Sequence, residues 1–84
     1  MDKTSLFKAE EFREVLFNEI ILYELKEISL ALEEKGYDPV TQIVGYLLTD
    51  DDGYITSHNN ARNLINKYNK SDLLSVIVKG SLSK

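Results

Sequence analysis

The feature that most constrains this chain is a stretch from Phe12 to Lys35 that contains neither glycine nor proline. Those two residues are the strongest helix breakers, so their absence favours one continuous helix. Acidic residues near its start and Lys35 at its end complement the helix dipole, and Gly36 follows where a left-handed C-cap is usual. The sequence therefore predicts a helix over residues 10–35, with Asn18 as the point where it could break into two.

Apolar side chains cover much of the circumference of this helix. One stripe advances by three or four residues and consists of Phe17, Ile21, Leu25, Ile28 and Leu32. A second set widens it and consists of Phe12, Val15, Leu16, Ile20 and Tyr23. The helix would be about 40 Å long, and the remaining residues cannot easily cover it. Because a helix that is apolar on this many sides must be buried on more than one, the sequence predicts a homodimer.

A second helix is predicted to begin at Asp38-Pro39, since Asp is a preferred N-cap and Pro is favoured at the first helical position. Its apolar face, through residue 48, is made by Val40, Ile43, Val44, Leu47 and Leu48. Gly45 costs about 1 kcal/mol relative to alanine inside a helix, so we expect it to permit close approach of another backbone.

Two shorter helices are predicted after a turn and a short extended piece at residues 49–56. Thr56 or Ser57 can cap the third helix, which carries Ala61, Leu64 and Ile65. The fourth begins near Asn69 with a variant of the capping box, and its predicted apolar face is Leu73, Leu74, Ile77 and Val78. The predicted fold class is therefore all-α, with about four helices and a long first helix.

The length of 84 residues corresponds to one domain. Residues 1–8 show no periodicity and are predicted to form a flexible N-terminal arm, and residues 9–84 a single helical domain. The chain has no cysteine, so neither a disulfide nor a thiolate metal site can stabilise this small core. No signal peptide is visible, and the longest apolar run, at residues 20–23, is far too short for a membrane span. We expect a cytoplasmic protein without membrane insertion.

Charge is distributed unevenly along the chain. Residues 1–53 hold thirteen acidic and five basic groups, a net charge of −8, whereas residues 54–84 carry a net +4. These regions could be two solvated faces, or the acidic part could attract the basic part of the same chain or of a partner. Since the whole chain is acidic, with a formal charge of −4, nucleic-acid binding is not expected.

Residue types that carry chemistry are sparse. Asp50-Asp51-Asp52-Gly53 resembles part of a calcium loop, but the required first Asp and last Glu are missing, so an acidic turn is the better interpretation. His58 has no nucleophile pattern beside it and no further ligands for zinc. We predict no enzymatic activity, no metal and no cofactor. The polar segment 58–70 remains a candidate for protein recognition.

A more specific signal lies in residues 36–67, GYDPVTQIVGYLLTDDDGYITSHNNARNLINK. The segment resembles the central signature of the IreB family of small bacterial proteins. The matching parts are Gly36-Tyr37, Pro39, residues 42–46, Tyr54-Ile55 and residues 58–65, somewhat over a third of the chain. In the arm, Asp2-Lys3-Thr4 followed by Phe7 is similar to the family's N-terminal pattern. Residues 8–34 match weakly, and Thr56-Ser57 stand where members usually have Pro-Arg.

The resemblance implies a homodimeric regulator without enzymatic activity. Threonines in the family's arm are targets of a membrane-bound bacterial Ser/Thr kinase with PASTA domains, which maps onto Thr4. Members are negative regulators in cell-envelope stress and cephalosporin resistance. On this chain we predict that Thr4 is phosphorylated and that His58, Asn59, Asn60 and Arg62 bind a partner. The alternative is a constitutive protein-binding module without a phospho-switch.

Overall fold

The computed structural model describes residues 9–83, and within them every regular element is helical. The main helices are α1 (Ala9–Glu34), α2 (Pro39–Thr49), α3 (Ala61–Asn66) and α4 (Lys70–Leu82). Single 3₁₀ turns lie between α2 and α3, at Asp52–Tyr54 and His58–Asn60. The predicted all-α fold with four helices and a long first helix is confirmed. The predicted arm, 1–8, lies outside the described residues.

The long helix is continuous for 26 residues, so the break considered at Asn18 does not occur. It ends at Glu34, one residue before the predicted end, and Gly36 follows in the predicted left-handed conformation, with a φ of +85°. The amide of Gly36 donates to the carbonyl of Glu33 and the amide of Tyr37 to the carbonyl of Leu32, both at 2.9 Å. These two bonds satisfy carbonyls that the helix leaves without partners, and they fix the direction in which the chain leaves α1.

One face of α1 forms the centre of the core, and α2, α3 and α4 all pack against it. Three members of the predicted stripe, Ile21, Ile28 and Leu32, are fully buried. They meet residues of every later segment: Tyr46, Ile55, Ala61, Ile65, Leu73 and Val76. Phe17, a fourth member of the stripe, is still 42% exposed, with its ring edge against Tyr68 at 6.0 Å between centroids.

The predicted start of α2 is confirmed in its geometry. The Asp38 carboxylate accepts hydrogen bonds from the Thr41 hydroxyl at 2.6 Å and the Thr41 amide at 3.1 Å. These bonds stabilise the ionised carboxylate and lower the pKa of Asp38. Pro39 then occupies the first helical position, where its missing N–H leaves no bond unmade.

The start of α3 and the buried face of α4 differ from prediction. The Thr56 hydroxyl accepts a bond from the His58 amide, but α3 begins only at Ala61, after Asn59 and Asn60 adopt left-handed conformations. In α4 the side that packs on α1 carries Leu73 and Val76. Leu74 and Val78, which the spacing assigned to the apolar face, are 45% and 51% exposed, and α2 does not close over Leu74. An open apolar groove of about 330 Å³ remains there.

The contact at Gly45 explains a glycine inside α2. A Cβ added there would lie 2.5 Å from two ring carbons of Tyr54. The close neighbour is thus an aromatic ring, and the prediction of an approaching backbone was wrong. This packing brings the turn after α2 back against the helix.

We expect Gly45→Ala to lower the free energy of unfolding by about 1–2 kcal/mol, because displacing the ring of Tyr54 outweighs the gain in helix propensity. Gly80→Ala is the matched control, since a Cβ at this second helical glycine meets nothing within 4 Å. It should raise stability by up to about 1 kcal/mol. Urea denaturation of both variants measures the difference, and equal effects at the two sites would contradict the packing argument.

Candidate functional site

Within the signature segment, residues 50–60 form a loop between α2 and α3. Side chains from both helices hold this loop. Arg62 on α3 makes the central contact. Its Nε donates to the backbone carbonyls of Ile55 at 2.9 Å and Asp52 at 3.2 Å. The guanidinium group therefore connects the start of the 3₁₀ turn at Asp52 with Ile55, the residue that follows the turn. The side chain of Ile55 is fully buried. Arg62, predicted as a partner-binding residue, uses its Nε within the chain.

Two amide side chains complete the attachment of this loop. Gln42 on α2 donates its Nε2 to the carbonyl of Tyr54 at 2.9 Å. Asn66 on α3 donates its Nδ2 to the carboxylate of Asp52 at 2.9 Å, and its Oδ1 accepts from the Tyr46 hydroxyl at 3.2 Å. The loop is thus bonded at four backbone and side-chain acceptors, which makes it a rigid part of the domain.

His58 and Asn59, both predicted to bind a partner, meet at the end of α1. The Nε2 atom of His58 lies 2.7 Å from Oε1 of Glu34, and Asn59 Nδ2 donates to the same oxygen at 3.3 Å. Asn60 instead accepts at its Oδ1 from Asn63 Nδ2 at 2.8 Å. The structure brings the first two together and gives Asn60 and Arg62 different neighbours. Their binding of a partner stays a prediction.

The three aspartates at residues 50–52 have different environments. Asp50 caps the end of α2 in a left-handed conformation and forms an ion pair with Lys70. Asp52 points towards Asn66. Asp51 begins the 3₁₀ turn, where its Oδ1 accepts from the Gly53 amide at 2.9 Å. Within residues 9–83 no cluster of histidine, cysteine or carboxylate side chains is arranged to hold a metal ion.

A shallow cleft of about 370 Å³ opens beside this turn. It is lined by Tyr37, Gln42, Asp51, Gly53 and Tyr54. Sequence reasoning missed it, although both tyrosines belong to the signature and each stands next to a turn. The missing information was the path of the chain after Gly36, which brings Tyr37 to the same side as Tyr54.

Three groups among the described residues have clearly shifted pKa values: Asp38, Glu24 and Tyr68. Hydrogen bonds from the hydroxyl of Tyr68 and from Lys67 lower the pKa of Glu24. Burial, together with the bond to Glu24, raises the pKa of Tyr68 to about 12. Glu24 and Tyr68 join α1 to the connection between α3 and α4, and Asp38 caps α2, so the three shifts have structural causes and do not mark a reactive centre.

In the part of the chain that the structure describes, none of the helices is long and apolar enough to cross a membrane. Comparison with protein families adds a specific result. The family model described as IreB regulatory phosphoprotein matches residues 2–83. The match extends well beyond the signature, into the arm and across residues 8–34, where the resemblance by inspection was weak.

Arg62→Lys should loosen the loop, because a lysine ammonium cannot reproduce the two bonds made by Nε. We expect a loss of about 1–2 kcal/mol in the free energy of unfolding and faster hydrogen exchange at the amide of Ile55. Ser75→Ala is the control, since Ser75 is exposed on α4 and should change stability by less than about 0.5 kcal/mol. An unchanged exchange rate at Ile55 would show that Arg62 does not hold the loop.

Proposed function

This chain belongs to the IreB family of regulatory phosphoproteins, and from that premise we propose that it is a non-catalytic regulator phosphorylated on Thr4 by a bacterial Ser/Thr kinase of the PASTA type. The observation that carries the proposal is the extent of the family match, which begins at residue 2 and so includes Thr4. We further propose that the protein acts in cell-envelope stress or antibiotic-resistance signalling in the cytoplasm, as the resemblance implies.

The charge of the arm makes phosphorylation an effective switch. Residues 1–8 contain Lys3 and Lys8 against Asp2, so the side chains carry a net charge of +1. A phosphate on Thr4 adds about −1.5 to −2 at neutral pH and reverses that sign. The arm is followed directly by the acidic first turn of α1, which contains Glu10 and Glu11. Attraction between arm and helix would thereby turn into repulsion.

A homodimer is the second part of the proposal, and the exposed side of α1 supports it. Leu16, Ile20, Tyr23 and Leu30 are all exposed, although each is large and apolar. Their spacing of four, three and seven residues places them on one stripe, on the side of α1 away from Ile21 and Ile28. A stripe of this kind is suited to packing against the same stripe of a second copy.

The dimer proposal is tested by mass in solution at low micromolar concentration. Ile20→Glu should raise the dimer dissociation constant at least about 10-fold, because Ile20 is 51% exposed in one copy and burial of that half, roughly 0.75–1.5 kcal/mol, is lost twice per dimer. Leu48→Glu is the control, since Leu48 lies on α2 and is 80% exposed. Leu48→Glu should still have the molecular mass of a dimer in solution. A wild-type monomer with a cooperative melt, or equal effects of both changes, would refute the α1 interface.

Phosphorylation is tested with the purified chain and the catalytic domain of a PASTA-type kinase. Mass spectrometry should find one phosphate on Thr4, and Thr4→Ala should remove it. Ser5→Ala is the matched control, because Ser5 is the adjacent hydroxyl and its loss should leave modification intact.

In the bacterium of origin, deletion of the gene should raise the survival of cells exposed to a cephalosporin. Thr4→Ala should make the regulation that remains independent of the kinase.

The alternative, a constitutive binding module, is favoured if Thr4 is never phosphorylated while deletion of the gene still changes survival in the presence of a cephalosporin. It would use the polar segment 58–70. Asn63→Ala is then a cleaner probe than Arg62→Ala, because removal of Arg62 also releases the loop at Ile55 and Asp52.

A further inference from the structure

The cleft beside the first 3₁₀ turn has two aromatic walls and one carboxylate. Tyr37 and Tyr54 line it, and their side chains remain 49% and 38% exposed. Asp51 supplies the carboxylate, with one oxygen bonded to the amide of Gly53. Tyrosine faces attract cations through the ring quadrupole, and a carboxylate does so through its charge. The chemistry of the lining therefore selects a cationic group.

Among the described residues, the carboxylate of Asp51 lacks the side-chain partner that each neighbouring aspartate has. Asp50 is paired with Lys70, and Asp52 accepts from Asn66. Across residues 9–83 no lysine, arginine or histidine lies within ion-pairing distance of Asp51. A cation that enters the cleft meets a carboxylate on which the bond from the Gly53 amide leaves at least three lone-pair positions.

The walls of the cleft are held in place before any ligand binds. The backbone of Tyr37 is held by a hydrogen bond from its amide to the carbonyl of Leu32 at the end of α1. The carbonyl of Tyr54 accepts from Gln42, and its ring lies against Gly45. Arg62 holds the next carbonyl, that of Ile55. Little ordering is required on binding, and this lowers the entropic cost that a shallow site must overcome.

We propose that this cleft binds the guanidinium group of an arginine side chain presented by a partner protein. Guanidinium is planar, stacks on aromatic faces and binds carboxylates through two parallel hydrogen bonds, all of which the lining allows. The chain's own arm is not the ligand within one copy. It contains no arginine, and its eight residues reach at most about 27 Å, whereas α1 separates Ala9 from this end of the domain by about 38 Å.

The test is a titration of the full ¹⁵N-labelled chain with the capped tripeptide Gly-Arg-Gly, followed by NMR. We expect saturable shifts concentrated at the amides of Tyr37, Gly53 and Tyr54. The capped Gly-citrulline-Gly peptide has the same shape without the charge and should bind about five-fold or more weakly. Equal binding of the two peptides, or shifts scattered over the surface, would overturn the proposal, as would a lysine peptide that binds as tightly as the arginine peptide.

Two isosteric changes distinguish a local site from the general acidity of the chain. Asp51→Asn keeps an oxygen that can accept from the Gly53 amide and removes only the charge, so arginine binding should weaken about three- to five-fold. Asp50→Asn removes the same charge one residue away, and asparagine tolerates the left-handed conformation found there. It should change binding less than two-fold, and equal effects of the two changes would refute the site. The outcome is independent of phosphorylation and of the dimer.

Discussion

Burial of one face of α1 is the constraint on which the rest of this structure depends. Ile21, Ile28 and Leu32 are fully buried, and the other helices reach them from three directions. By contrast, α2 and α4 do not close on each other and leave an apolar groove between them. Burial of apolar surface at this face contributes about 25 cal/mol per Å² to the free energy of folding. It is the main source of stability available to so small a domain.

The dependence on α1 explains why so many polar side chains serve the loop at residues 50–60. A segment that is short of apolar contacts must be ordered by hydrogen bonds, and Arg62, Gln42 and Asn66 supply them. Each of these residues belongs to the signature segment by position. These residues of the signature segment therefore have a structural role: they determine the shape of the loop. That shape leaves Tyr37, Asp51 and Tyr54 on one surface.

Those parts of the fold that depend on local chemistry were predictable from sequence. The caps at Asp38 and Gly36 follow from residue preferences within one helical turn, and so does the length of α1. The choice between two apolar sides of α4 was not predictable, because spacing allows both Leu73-Val76 and Leu74-Val78 and only packing on α1 decides. The left-handed pair Asn59-Asn60 was likewise missed, since asparagine adopts that conformation only where the surrounding chain requires it.

The signature loop contacts the last residue of α1, Glu34, whereas Thr4 precedes the first residue of α1 in the sequence. Thr4 precedes Ala9 by five residues, which is at most about 18 Å of extended chain, and the helix itself spans about 38 Å. A phosphate on the arm therefore cannot touch the loop of its own chain. In a dimer with antiparallel α1 helices, however, Ala9 of one copy would approach the end of α1 in the other, where His58 and Asn59 of the loop contact Glu34. The proposed dimer and the proposed switch are for this reason linked: if the signature loop recognises a partner, an antiparallel second copy is the simplest way for charge on Thr4 to reach it.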